Sequence, residues 1–152
     1  MDTYTAMTGA YTDCYVTEIQ FAISIPEFVY AFYTTPLFKL ERLILQFTVS
    51  KPSTDLQARQ AAEGKIGEFA AWTVEARGGN ELLMRDFLSR TRSWFMTIPV
   101  GKSRTRLYFG TAVVPKTGRT ALGFGFRAML GFHQIYSVSL LYSAKRKLER
   151  GG

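Results

Sequence analysis

His133 is the single histidine of the chain. Imidazole takes and gives protons near neutral pH, which makes this residue the first candidate for acid–base work. At helical spacing it shares a stripe with Phe126, Met129, Leu130, Ser137 and Leu140. A helix here turns His133 toward whatever covers its apolar side, and Tyr136 lies one turn further on. Asp86 and Arg92 flank a Ser89-Arg90 turn signal. Turn position fixes register, so the two are expected as cross-strand neighbours on one sheet face. A buried charge without a partner is strongly destabilising, so they should pair. The pair is either a structural salt bridge at the end of the sheet or a polar group that orients a ligand. His133, Asp86 and Arg92 are the candidate catalytic residues.

A sheet and a helix must position them. Tyr15 to Ile23 alternates, with Tyr15, Thr17, Ile19, Phe21 and Ile23 on one side, which reads as a strand. From Phe69 the period is again two. Strands are expected over Phe69 to Arg77, Glu81 to Leu88, Thr91 to Ile98 and Thr105 to Val114. Gly78-Gly79-Asn80 turns the first pair. The resulting inner face carries Trp72, Val74, Leu82, Met84, Asp86, Arg92, Trp94, Met96, Ile98, Leu107, Phe109, Thr111 and Val113. The outer face carries Thr73, Glu75, Arg85, Ser93, Thr97, Arg106 and Tyr108, with Leu83, Phe87 and Phe95 among them. One face then packs and the other is mostly wet. Trp72, Met84, Trp94, Met96, Phe109, Thr111 and Tyr136 are the candidate ligand-binding residues. Each aromatic has an alternative role as plain core.

Helices fill the remaining segments. Ser24 or its neighbour caps a helix with Pro26 and Glu27 in its first turn, and Phe28, Val29, Phe32 and Tyr33 form its stripe. Thr35-Pro36 starts the next helix, with Leu37, Leu40, Glu41, Ile44 and Leu45. Periodicity leaves Ile44 to Val49 open between helix and strand. Glu41 is either the edge of that helix or a carboxylate at the cavity mouth. Ser53, Thr54 and Asp55 offer caps for a third helix, Leu56 to Glu63, closed by Gly64. Leu122 to Leu148 reads as one long amphipathic helix. Residues 1–12 read as a loose lead-in and 145–152 as a basic tail to a single domain over 1–152.

Composition narrows the function classes. Hydrophobic residues at 47% and charged residues at 20% argue against extended disorder. The formal charge of +7 is scattered apart from Lys145-Arg146-Lys147, and reads mainly as solvated surface. One cysteine, Cys14, precludes an intrachain disulfide and fits a cytoplasmic setting. No signal peptide is expected, and Leu122 to Ala144 is too polar to span a bilayer. One Cys and one His make a zinc site improbable, and no metal or cofactor is expected. Gly101-Lys102-Ser103 lacks the leading glycine of a phosphate-binding loop, since position 96 is Met. Gly123, Gly125 and Gly131 miss the dinucleotide spacing. No Gly-x-Ser-x-Gly elbow occurs. The reactions left need few groups: cyclisation, isomerisation, dehydration or proton transfer in a shaped pocket.

The order of strand, helices, antiparallel meander and long final helix resembles the helix-grip fold of START and polyketide-cyclase-like domains. The resemblance implies an α+β fold: a curved antiparallel sheet of about five or more strands gripping a C-terminal helix over a cavity. The cone-shaped nuclear-transport-factor fold is the alternative. Ala31-Phe-Tyr-Thr-Thr-Pro-Leu-Phe, Arg92-Ser-Trp and Gly131-Phe-His-Gln-Ile-Tyr-Ser look like stretches of a group of short bacterial proteins of unknown function. The leading expectation is binding of a small, largely apolar or aromatic molecule, with or without cofactor-independent acid–base catalysis. A nucleic-acid module using Arg85, Arg106, Phe87, Phe95 and Tyr108 is the second reading. A homodimer or partner subunit, with Phe87 and Phe95 at its interface, is the third.

Overall fold

Ser24 accepts a hydrogen bond from the Glu27 backbone N–H, and the Glu27 carboxylate accepts from the Ser24 backbone N–H at 2.7 Å. This reciprocal capping box, with Pro26 in the first turn, sets the start of helix α2 (Ile25–Tyr33). The computed structural model describes residues 2–49, 52–114 and 124–151. A one-turn helix α1 (Asp2–Thr5) and strand β1 (Tyr11–Ile19) precede α2. Helix α3 (Pro36–Val49) follows, so the stretch from Ile44 to Val49 is helical. Helix α4 (Asp55–Ala62) begins on a second capping box, Thr54 with Gln57. It ends in a Schellman motif: Gly64 sits at φ +78°, and the Lys65 N–H reaches the Gln60 carbonyl at 2.8 Å.

The sheet strands are β2 (Glu68–Phe69), β3 (Trp72–Arg77), β4 (Glu81–Asp86), β5 (Thr91–Val100) and β6 (Arg104–Val113), with β1 joining them. Ala70, at φ +53°, separates β2 from β3, so the stretch expected as one strand is two. All six strands are antiparallel, in the order β1-β6-β5-β4-β3-β2. The curved sheet is not closed into a barrel, and a bulge between Val74 and Ala76 interrupts its register. Helix α5 (Phe124–Gly151) packs on α2, β1 and α3. Residues 145–151, expected as a tail, are its last turns.

Burial drives the layering. Phe28, Phe32, Tyr33 and Phe38 interlock with Phe95 and Phe109 from the sheet. The Phe32 ring lies 4.9 Å from Phe95 and 4.6 Å from Phe109. Such aromatic pairs add about 0.5–1.5 kcal/mol each beyond their buried area. Several basic residues are structural. Arg42 is buried, donating to Ser53 Oγ at 2.9 Å and Asp55 at 2.7 Å, which pins α3 to the start of α4. Lys147 donates to the Thr34 carbonyl at 2.9 Å, fastening α5 to the end of α2.

The β4–β5 register differs by one residue from the sequence expectation. Asp86 lies opposite Trp72, and Arg85, rather than Asp86, faces Arg92. The connection is a four-residue turn over 87–90, not the two-residue Ser89-Arg90 turn. Ser89 takes φ +56°, and its N–H donates to the Asp86 carbonyl at 2.9 Å. The shift carries into β6, where Phe95, not Trp94, faces Phe109. In β5 the inner face is therefore Ser93, Phe95 and Thr97, all buried, while Arg92, Trp94, Met96 and Ile98 lie on the outer face. The inward positions Leu82, Met84, Leu107, Phe109, Thr111 and Val113 are as expected.

Candidate functional site

A cavity of about 590 Å³ lies between the inner sheet face, α3 and α5. Trp72, Ser93, Phe109 and Thr111 form its floor. Leu37, Leu40, Glu41 and Ile44 come from α3, and Phe132, His133, Tyr136 and Leu140 from α5. Its walls are mainly aromatic and aliphatic; Thr91, Ser93, Ser137 and Ser139 add hydroxyl-bearing residues, and His133 and Glu41 sit in hydrogen-bonded networks at two places.

The first place is the Asp13–Thr111–His133 network. Asp13 in β1 faces Thr111 in β6 across the ladder. The Thr111 hydroxyl donates to Asp13 Oδ1 at 2.5 Å, and its N–H donates to the same oxygen at 3.2 Å. Tyr11 and Tyr15 hydroxyls donate to Oδ2 at 3.1 and 2.9 Å. All the acceptor positions of this carboxylate are engaged. Burial, with Asp13 adding to it, raises the pKa of the Tyr15 phenol. On the other side of Thr111, its hydroxyl lies 2.9 Å from His133 Nε2. A hydroxyl has one proton, and Thr111 gives it to the carboxylate. His133 Nε2 must then carry the hydrogen and donate to Thr111. The neutral ring consequently keeps its lone pair on Nδ1, where it can accept a proton. Asp13 Oδ2 lies 3.9 Å from Nε2.

The second place joins α3 to α5. Tyr136 donates its hydroxyl to Glu41 Oε2 in a short hydrogen bond. Burial pushes the Glu41 carboxyl above the ordinary carboxylate value, and the Tyr136 bond only partly opposes this. Burial and the neighbouring carboxylate together push the Tyr136 phenol up. Tyr33, fully buried below, is raised by the same causes, and its hydroxyl has no partner among the described residues. The Phe132 ring stacks on Tyr136 at 6.2 Å and 8°.

The candidate residues divide accordingly. His133, Trp72, Phe109, Thr111 and Tyr136 line the cavity. Met84 is fully buried beneath it, opposite Ser93. Asp86 and Arg92 do not pair. Asp86 Oδ1 accepts from the Arg90 and Thr91 N–H groups at 2.6 and 2.9 Å, holding the turn. Arg92 reaches the cavity edge, but its guanidinium serves the outer face. There it bonds Glu75 at 3.2 Å, the Tyr4 hydroxyl at 2.9 Å and the Ser89 carbonyl at 2.6 Å. Residues 2–5, expected to be loose, supply Tyr4 as the cover of that corner. Trp94 and Met96 are outside the cavity. The Trp94 indole N–H bonds Glu81 at 3.0 Å, and its ring lies 6.5 Å from Tyr108. In the helical stripe, Ser137 and Leu140 are buried. The side chains of Phe126, Met129 and Leu130 lie outside the described residues.

Asp13 is missing from the expected site because the strand reading begins at Tyr15, whereas β1 begins at Tyr11. The continuing alternation Tyr11, Asp13, Tyr15 was the signal that could have found it. Among the described residues, no cluster of His, Cys, Asp and Glu could hold a metal ion, and no helix is long and apolar enough to cross a membrane.

No protein-family model and no curated protein matches the chain. Among solved structures, an uncharacterised protein from Rhizobium leguminosarum is similar over 95% of this chain and 99% of that one, at 10% identity and a TM-score of 0.34.

Proposed function

We propose that the protein binds a small, largely apolar or aromatic molecule in the cavity between the sheet and α5. The observation that carries this reading is the cavity itself: about 590 Å³, walled mainly by apolar side chains, with hydrogen-bonded networks at His133 and Glu41. Small-molecule sites typically span roughly 300–1,000 Å³ with that kind of lining. The layout supports the resemblance to helix-grip domains, since β1 lies beside β6 and a long helix follows the last strand. That long helix favours this fold over the cone-shaped alternative. Within the pocket His133 serves as proton acceptor, through the nitrogen that Thr111 and Asp13 leave unprotonated. This suits a cofactor-independent cyclisation, isomerisation or dehydration. The nucleic-acid reading draws less support, because Glu18 pairs with both Arg104 and Arg106 on the outer face, and Phe95 is buried inside.

The test is equilibrium binding of a neutral hydrophobic fluorophore, N-phenyl-1-naphthylamine. Saturable one-to-one binding is expected. Ser137→Phe should weaken it roughly tenfold or more, because the ring occupies cavity space at a buried lining position. Non-saturable binding, or equal affinity in a Ser137→Phe variant with a native melting temperature, would count against the cavity.

A further inference from the structure

The ionisable groups that line the cavity and are not tied elsewhere, Glu41 and His133, offer acceptors, while the Thr91, Ser93 and Ser137 hydroxyls can donate or accept. Glu41 lines the cavity and has a single described donor, Tyr136, on Oε2, which leaves Oε1 free. His133 Nε2 is committed to Thr111, which leaves Nδ1 with its lone pair. Asp13 is saturated by Tyr11, Tyr15 and Thr111. Positive groups are turned elsewhere. The Arg92 guanidinium is tied to Tyr4, Glu75 and Ser89, Arg42 to Ser53 and Asp55, and Lys147 to Thr34. Trp72 Nε1 is a donor without a partner among the described residues, but it is buried and exposes essentially no surface to the cavity. The lining also carries aromatic rings, Phe32, Phe38, Phe132 and Tyr136, the last bonded to Glu41.

We infer that the cavity ligand is a cationic amine on an apolar or aromatic body, its ammonium group meeting the Glu41 carboxylate. This rests on the cavity-binding reading above and names its ligand class. A carboxylate in an apolar pocket is stabilised when a cation enters beside it, because the pair replaces lost hydration. Among the described residues no cation occupies that place, so the ligand supplies it. An ammonium group also gains from aromatic faces within about 6 Å, and these walls offer several. His133 Nδ1 is a second acceptor, suited to a hydroxyl or N–H elsewhere on the ligand. An anionic ligand would bring a second negative charge beside Glu41 and find no described cation facing it.

The experiment displaces N-phenyl-1-naphthylamine with three compounds of matched size: 2-phenylethylamine, 2-phenylethanol and 3-phenylpropanoate, at pH 7.5. The amine should displace best, by about tenfold over the alcohol, the ratio set by one charge-assisted contact worth ~1.4 kcal/mol. The carboxylate should be weakest. Glu41→Gln should bring the amine and alcohol to similar affinity while fluorophore binding persists. Tyr136→Phe, which keeps the carboxylate, should retain the amine preference. Fluorophore binding with no amine preference, or an amine preference that survives Glu41→Gln, overturns the ligand class and leaves the cavity reading standing. Absence of fluorophore binding overturns both. If Glu41→Gln does not fold, the wild-type order of the three compounds decides.

Discussion

Asp13, Thr111 and His133 form a chain in which each proton has one sensible place. The carboxylate only accepts, the hydroxyl can donate once, and the imidazole must supply the remaining hydrogen. Because the chain has one histidine, selective ¹⁵N labelling reports on it without assignment. The two ring nitrogens should have the shifts of the Nε2–H form at pH 8, and Thr111→Val should move them toward a tautomer mixture. Signals of the Nδ1–H form in the wild type would reverse the assigned roles. Glu41 makes a different prediction. Its pKa is raised above the ordinary value of 4.5 by burial. The carboxyl therefore favours folding most when protonated. That contribution is fully present below pH 4.5 and is lost as pH rises through the folded-state pKa. Glu41→Gln, neutral at every pH and still able to accept from Tyr136, should melt higher than wild type at pH 8. The advantage should vanish near pH 4. Asp55 and Glu27 titrate with the opposite sign, their pKa values being lowered, but they are common to both proteins and cancel in the difference. A lower melting temperature for Glu41→Gln at pH 8 would mean that the carboxylate is paired rather than merely buried.

At the scale of elements, the turn at 87–90 decides which half of β5 faces the cavity. Helices α2 and α4 were legible because their signals are local: Ser24 with Pro26 and Glu27, Thr54 among the offered caps, Gly64 after Glu63. The inner faces of β3, β4 and β6 were legible because apolar alternation marks the inward side there: Trp72 and Val74, Leu82 and Met84, Leu107 and Phe109. In β5 it does not. Ser93 and Thr97 are the small polar residues that face inward, while Trp94 and Met96 face out, so hydrophobicity favours the wrong parity. The correct one depends on Ser89 adopting a left-handed conformation, which nothing in its residue type demands. The Glu41–Tyr136 contact joins elements 95 positions apart and had no local signal. Register predicts a stability contrast. Phe95→Ala should destabilise by about 3–5 kcal/mol, as for a large core ring. Trp94→Ala, on the half-buried outer face, should cost clearly less. Asp86→Ala should lose about 1 kcal/mol through its two turn hydrogen bonds. Denaturant unfolding of the three variants gives the order; a larger loss for Trp94→Ala than for Phe95→Ala would restore the opposite register.

For the whole molecule, the six-stranded sheet and α5 do not meet along their full length. At one end α2 fills the gap with Phe28, Phe32 and Tyr33. At the other, the gap between α3 and α5 remains as the cavity, bordered by the exposed side chains Leu40 and Ile44 of α3 and Phe132 and Ile135 of α5. Apolar groups left in water around an apolar recess suit a place where a ligand enters or a partner docks. The same geometry puts Trp94, Met96 and Tyr108 on the far side of the sheet, beyond reach of anything bound within. The most direct test is chemical-shift mapping on labelled protein titrated with N-phenyl-1-naphthylamine. Saturable shifts should gather on Phe109, Thr111, His133 and Tyr136, while Trp94, Met96 and Tyr108 stay unmoved. Shifts centred on the outer face, or no saturable change at the four inner residues, would contradict the cavity as the binding site.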